Sequence, residues 1–192
     1  MVANLLKAWP YLLALAAGSL QIRAIDGTVL RPLDPAGVAH VLFFVSTDCP
    51  VSNAYSPEIQ RICAAYVGRG IGCALIYEDL GVTPDNVRKH LDDHRYGRMP
   101  AAIDRDGALA GRLGASLTPE VVVVGRGGAI RYRGRIDNLY AALGRPRRTA
   151  TAHDLQDALD AVVAGRAIAT SETQAIGCYI VPSALRRVRR VG

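Results

Sequence analysis

The sequence predicts an α/β domain in which a central mixed β-sheet is flanked by helices. Three observations carry that prediction. Short runs rich in β-branched and aromatic residues, at 41–45, 71–77 and 121–124, read as buried strands. Between the first two, Tyr55, Ile59, Ile62, Cys63 and Tyr66 recur at helical spacing and form one apolar face. Turn residues (Asp26-Gly27, Thr83-Pro84-Asp85, Asp106-Gly107, Gly127-Gly128) separate the segments, giving strand and helix in alternation.

The chain has 192 residues, enough for one domain with a substantial core. Half of it is hydrophobic and 21% is charged, which excludes a disordered chain. The net charge of +6 comes from arginine, for Lys7 and Lys89 are the only lysines. The clusters Arg145-Pro146-Arg147-Arg148 and Arg186-Arg187-Val188-Arg189-Arg190 read as solvated surface and a basic tail. No zinc-finger spacing, P-loop or RNA-binding aromatic motif accompanies them, so no nucleic-acid partner is expected.

Residues 1–18 combine Lys7, an apolar stretch and the small-residue site Ala14-Leu15-Ala16. That is the pattern of a secretory signal peptide, the alternative being an N-terminal apolar helix packed on the domain. The stretch is shorter than the ~20 residues of a membrane span, so none is expected in the mature chain. Export implies a periplasmic or otherwise extracytoplasmic protein, where disulfides persist; the alternative is cytoplasmic.

Residues 19–180 form the predicted domain. A first strand at 21–24 turns at Asp26-Gly27, a loop covers 30–35, and the central strand follows at 41–45. A helix is expected over 53–67, kinked at Pro57 and ended by Gly68. Next come a strand at 71–77 and a helix from the Thr83 cap to about residue 94. His90 and His94 share a face at metal-compatible i, i+4 spacing, but Asp92-Asp93 point to an exposed surface instead. A strand at 100–104, a helix at 108–113, a strand at 121–124, a hairpin into 129–134 and a closing helix over 151–164 complete the order. Residues 181–192 read as a poorly ordered basic tail.

The chemistry centres on Ser46-Thr47-Asp48-Cys49-Pro50-Val51-Ser52-Asn53, where the central strand ends and a helix begins. Pro50 suits a first helical turn, where its missing N–H is not needed. Free N–H groups at a helix start favour thiolate, lowering a cysteine from ~8.5 to roughly 3.5–7.5. Asp48 acts in the opposite direction. The alternative is a cysteine packed as a small hydrophobe. Of the four cysteines (Cys49, Cys63, Cys73, Cys178), none forms a Cys-x-x-Cys pair, which excludes a zinc knuckle and a local dithiol. Cys63 and Cys73 fall on a helix face and in a strand and read as core residues, with a bridge between them conceivable.

Strand, Cys-Pro turn and long helix resemble the thioredoxin-like superfamily. STDCPVSNAYSPEIQ is similar, more narrowly, to its redoxin branch related to peroxiredoxins, the alkyl hydroperoxide reductase/thiol-specific antioxidant type. The likeness runs from about Ile22 to Cys178 and extends to Leu117-Thr118-Pro119-Glu120 and Tyr132-Arg133-Gly134-Arg135-Ile136-Asp137. It implies a cis-proline at Pro119, after Thr118, packed beside Cys49 and shaping a substrate groove. Cys178 then has three readings: a resolving cysteine, a second metal ligand, or an unpaired surface thiol.

Three chemistries follow. In the first, a thiol–disulfide oxidoreductase, Cys49 is the nucleophile, Cys178 or an external thiol resolves the mixed disulfide, and Ser52 and Asn53 lie near the sulfur. In the second, a peroxide reductase, Ser46 takes the place of the family's hydroxyl residue three before the cysteine, while Leu42 replaces the family's proline. The third is a copper-binding chaperone, with Cys49, Cys178 and His153 as the available ligands. The first is the expectation: a protein or small-molecule disulfide or peroxide as substrate, an external thiol as reductant, and neither resident cofactor nor metal.

Overall fold

The computed structural model describes residues 20–188, with side chains to Arg186. The signal-peptide segment 1–18 and the last four residues of the tail lie outside the described residues. Among the described residues no helix is long and apolar enough to cross a membrane.

Strand β1 (Ile22–Arg23) turns back at Gly27 and pairs antiparallel with β2 (Val29–Leu30). Then comes the central strand β3 (Ala39–Val45), followed by α1 (Pro50–Ala54), α2 (Ser56–Val67) and β4 (Ile71–Tyr77). Next are α3 (Pro84–Asp93), β5 (Ala101–Ile103), α4 (Ala108–Leu113), β6 (Leu117–Thr118), β7 (Glu120–Gly125) and β8 (Ile130–Gly134). A small hairpin of β9 (Tyr140–Ala142) and β10 (Arg145–Pro146), α5 (Asp154–Val163), β11 (Cys178–Tyr179) and α6 (Ser183–Val188) close the chain.

The main sheet has the order β5-β4-β3-β7-β8. β3, β4 and β5 are parallel, β7 runs antiparallel to β3, and β8 antiparallel to β7. This is the mixed sheet expected from the strand–helix alternation. Alternate residues of each strand feed two cores. Val41, Phe43, Val45, Leu75, Tyr77, Val121 and Val123 face one, with Ile59 and Ile62 of α2, Val87 of α3, and Leu155 and Leu159 of α5. Leu42, Phe44, Ile76, Val122 and Val124 face the other, with Leu109 and Leu113 of α4. With both faces covered, β3 carries continuous apolar sequence rather than an alternating pattern.

Three local expectations are corrected. The first helix begins at Pro50, not at 53, because Cys49 itself caps it, its sulfur facing the Ser52 N–H. Pro57 does not kink a continuous helix; the chain breaks at Tyr55 and Pro57 sits in the first turn of α2, where no N–H is required. The tail is not wholly surface: 183–188 are helical, and Arg186 is 5% exposed, paired through Nη2 with buried Glu78 Oε2 at 2.6 Å. The hairpin of β9 and β10 carries Arg145 of the first arginine cluster, exposed, in β10, a pairing with no strand signal in its sequence.

Cys63 and Cys73 form a disulfide, their Cα atoms 6.1 Å apart, tying α2 to β4. The bridge closes a loop of 10 residues of separation. Loop-closure entropy for that span gives about 2–3 kcal/mol. The Cys63→Ser/Cys73→Ser double variant is therefore expected to lose stability of that order in urea unfolding, with no change in the m-value beyond the effect of a looser denatured state.

Candidate active site

β3 ends at Val45, and the next four residues turn the chain through Ser46-Thr47-Asp48 to Cys49. One carboxylate organises that turn. Asp79, just past the end of neighbouring β4, accepts hydrogen bonds from Ser46 Oγ (2.5 Å), Thr47 N (3.0 Å) and Thr47 Oγ1 (3.2 Å). Ser46 Oγ in turn accepts from the Asp48 N–H at 3.3 Å. Cys49 is thereby held at the N-cap of α1 and is only 1% exposed.

The sulfur meets three parts of the chain. Its thiol donates to the Thr118 carbonyl at 3.0 Å, and the Ser52 N–H approaches it at 3.5 Å. Thr118 is followed by a cis peptide bond to Pro119. Glu120 fixes this loop from behind, its Oε2 accepting the Ser116 N–H (2.7 Å) and the Leu117 N–H (3.0 Å). The third part is β11, which pairs antiparallel with β6 so that Cys178 stands opposite Thr118 and Tyr179 opposite Leu117. That register packs Cys178 against the cluster that contains Cys49, on the same carbonyl-bearing residue that Cys49 meets.

The two thiols are unequal. Burial works to raise Cys49, but the Cys178 thiol, Ser52 and Thr118 outweigh it and leave Cys49 below its ordinary value. Cys178 is pushed up to about 11, by burial first and then by the hydrogen bond and charge of Cys49. Cys49 is the thiol that ionises first.

Behind the turn runs a directed hydrogen-bond chain. Asn53 Nδ2 donates to the Thr47 carbonyl at 3.0 Å, so Asn53 Oδ1 is left as the acceptor facing His90 Nε2 at 2.9 Å. His90 therefore carries its proton on Nε2, and its Nδ1 accepts from the Tyr77 hydroxyl at 2.9 Å. His90 is 7% exposed. This corrects the expectation of an exposed His90–His94 face. Val87, His90, Leu91 and His94 follow i, i+3, i+4, i+7 spacing and so turn inward, while Asp92 and Asp93 are exposed. Burial, then the electrostatic influence of neighbouring His94, pushes His90 down to about 4; Asp79, Asp93 and Asp48 oppose them. Outside this chain lies a polar depression of about 550 Å3, lined by Asp48, Asp79, Lys89, Asp93 and His94 among others.

Of the residues singled out in the sequence, the structure brings Cys49, Cys178, Thr118 and Ser52 to one point, with Pro119 adjoining. Ser46 and Asn53 are not turned to the sulfur; they brace the turn. Arg133 pairs with Glu172, and Arg135 with Asp154 at 2.7 Å. Asp137 accepts the Tyr55 hydroxyl at 2.5 Å, tying the end of α1 to the segment after β8. Among the described residues no three His, Cys, Asp or Glu side chains are grouped to hold a metal ion, so His153 does not join the two thiols in such a set. Asp79, Glu120 and His90 were missed as site residues. Only His90 had a legible signal, its place on the apolar face of α3.

No family model matches this chain, and no curated protein matches it. Solved structures do. An uncharacterised conserved protein of Geobacillus kaustophilus superposes with a TM-score of 0.74 at 24% identity, covering 84% of this chain and 88% of that one. A secreted Mycobacterium tuberculosis disulfide oxidoreductase, described as homologous to E. coli DsbE, matches with a TM-score of 0.54 at 17% identity over 77% of this chain and 96% of that one. A thioredoxin-like protein of Aeropyrum pernix matches at 0.52 and 20% identity, over 60% and 80%. The fold is thioredoxin-like.

The buried neutral His90 links stability to pH. With a folded value of about 4 against an ordinary 6.5, its contribution is complete above pH 6.5 and is lost as pH falls toward 4. The loss is on the order of 3 kcal/mol. Urea unfolding of wild type and His90→Gln across pH 7.5 to 4 should show a flatter profile in the variant; parallel profiles would remove His90 as the cause.

Proposed function

We propose that this protein is a thiol–disulfide oxidoreductase in which Cys49 is the nucleophile and Cys178 the resolving cysteine. The observation that carries this reading is the meeting of both cysteines at Thr118, whose carbonyl accepts from the Cys49 thiol and which is the register partner of Cys178, with Cys49 at a helix N-cap. The Cys49 thiolate attacks one sulfur of an external disulfide, forms a mixed disulfide and releases the other sulfur as thiolate. Cys178, deprotonated as it reacts, attacks the Cys49 sulfur and releases the second substrate thiolate. The external disulfide gains two electrons and becomes two thiols; the protein is left with a Cys49–Cys178 disulfide. An external thiol reductant returns it to the dithiol, and the same steps run backward oxidise a substrate dithiol.

The thioredoxin-like fold supports this reading, as does the M. tuberculosis neighbour described as a disulfide oxidoreductase. Peroxide reduction has less support. The Ser46 hydroxyl, in the place of the hydroxyl residue that the redoxin resemblance puts three before the cysteine, is engaged by Asp79 and the Asp48 N–H. The Cys63–Cys73 disulfide and the secreted state of that neighbour favour an extracytoplasmic location.

The test is mass mapping after one equivalent of a model disulfide. Wild type should yield a Cys49–Cys178 bridge. Cys178→Ser should accumulate the mixed disulfide on Cys49, and Cys49→Ser should lower the rate of disulfide reduction at least about a hundredfold, the scale of removing an activated nucleophile. A Cys49 that remains a free thiol throughout would overturn the reading.

A further inference from the structure

A nucleophile that attacks external disulfides must be reachable, yet Cys49 is 1% exposed. Cys178, packed against the cluster that contains Cys49, belongs to a ribbon, residues 174–181, that crosses the edge of β6. Both ends of that ribbon are fastened. Before it, the Thr173 N–H donates to Arg133 O (3.0 Å), and Thr173 Oγ1 meets the Tyr132 hydroxyl (2.6 Å) and accepts the Arg135 N–H (3.1 Å). After it, Arg186 donates from Nε to Val181 O (2.7 Å), from Nη1 to Asp104 O (2.7 Å) and from Nη2 to Glu78 Oε2 (2.6 Å). Both partners of that ion pair are buried, so separating them would strand a charge.

The middle is held differently. Its strand pairing spans two residues and ends at the Ile180 N–H, which donates to Ser116 O (2.9 Å), and Tyr179 is 89% exposed. Gly177 makes the close seating possible: a Cβ there would lie 2.0 Å from the Thr118 carbonyl oxygen and 2.6 Å from its carbon. A backbone carbonyl next to a proline cannot yield as a flexible side chain does.

We propose that the ribbon 174–181 is a gate. Closed, it shields Cys49 from external disulfides; lifted at its middle, it uncovers the sulfur while the Thr173 and Arg186 anchors keep Cys178 within range to resolve the mixed disulfide. The proposal rests on Cys49 being the nucleophile. It accounts for a mismatch in the closed form, where the more accessible thiol is the one that resists ionisation and the readily ionised one is covered. Exchange requires both properties in one sulfur; opening supplies access, and the Ser52 N–H at the start of α1 stays with Cys49. Gly177 and Arg186 are positioning residues in this scheme.

The test follows alkylation of Cys49 by iodoacetamide in the full chain carrying Cys178→Ser, where Cys63 and Cys73 are protected by their disulfide. Rates are taken at the high-pH plateau, where ionisation is complete and only access remains. The closed ribbon should keep this rate well below that of the same protein in urea. Adding Gly177→Ala should raise it at least about tenfold, as a larger open fraction requires, with the melting temperature held within a few degrees. If Gly177→Ala does not fold, Arg186→Lys, which loses the forked contacts, is read in the same way. Plateau rates that do not move in a folded variant, or a reference rate already equal to that of the unfolded chain, would overturn the gate. Alkylation needs no exchange activity, so a gate effect without disulfide reduction would count against the proposed function alone.

Discussion

The Thr118 carbonyl is the point on which the site is assembled. The Cys49 thiol donates to it, and Gly177 lies so close that no side chain fits between them. Its residue is the register partner of Cys178. Three segments far apart in sequence thus share one atom group, and none reaches it unaided. The central strand delivers Cys49, Glu120 holds the 116–118 loop by two N–H groups, and the pairing of β6 with β11 delivers Cys178. Buried backbone polar groups must find partners, so this edge of β6 is satisfied within the molecule when the ribbon lies across it.

A second tier of contacts holds the turn itself. Asp79 gathers Ser46 and Thr47, while Tyr77, His90 and Asn53 form a line of donors and acceptors ending on the Thr47 carbonyl. Every link in that line has one consistent direction, and it requires a neutral imidazole. The position of Cys49 is therefore set by side chains that never touch its sulfur, on β4 and α3 as well as on its own helix. Networks of this kind rigidify when every member is satisfied.

Much of this was legible in the sequence, and the unread part has a physical pattern. Strands such as 71–77 and the helix 108–113 were read to the residue because period and turn chemistry are local. Cys49 stood out because a strand end, a proline and a helix start coincide there. The placing of Cys178 near Cys49 depends on a two-residue pairing, which carries no periodic signal. Asp79 and Glu120 look like ordinary polar residues at strand ends; their roles exist only once the sheet order places them beside other turns. Arg186 shows the same limit from the other side. In the sequence it is one arginine among several, and only the buried Glu78 distinguishes it.

The two cysteine pairs differ sharply in the length of chain between their members, and that difference bears on how the right thiols find each other. Cys63 and Cys73 are 10 residues apart, so their encounter needs little loop closure. Cys49 meets Cys178 only after β3, β7 and β11 are all in place. Once Cys63 and Cys73 are joined, two of the four thiols are out of circulation. Cys49 would then have a single intramolecular partner left to choose.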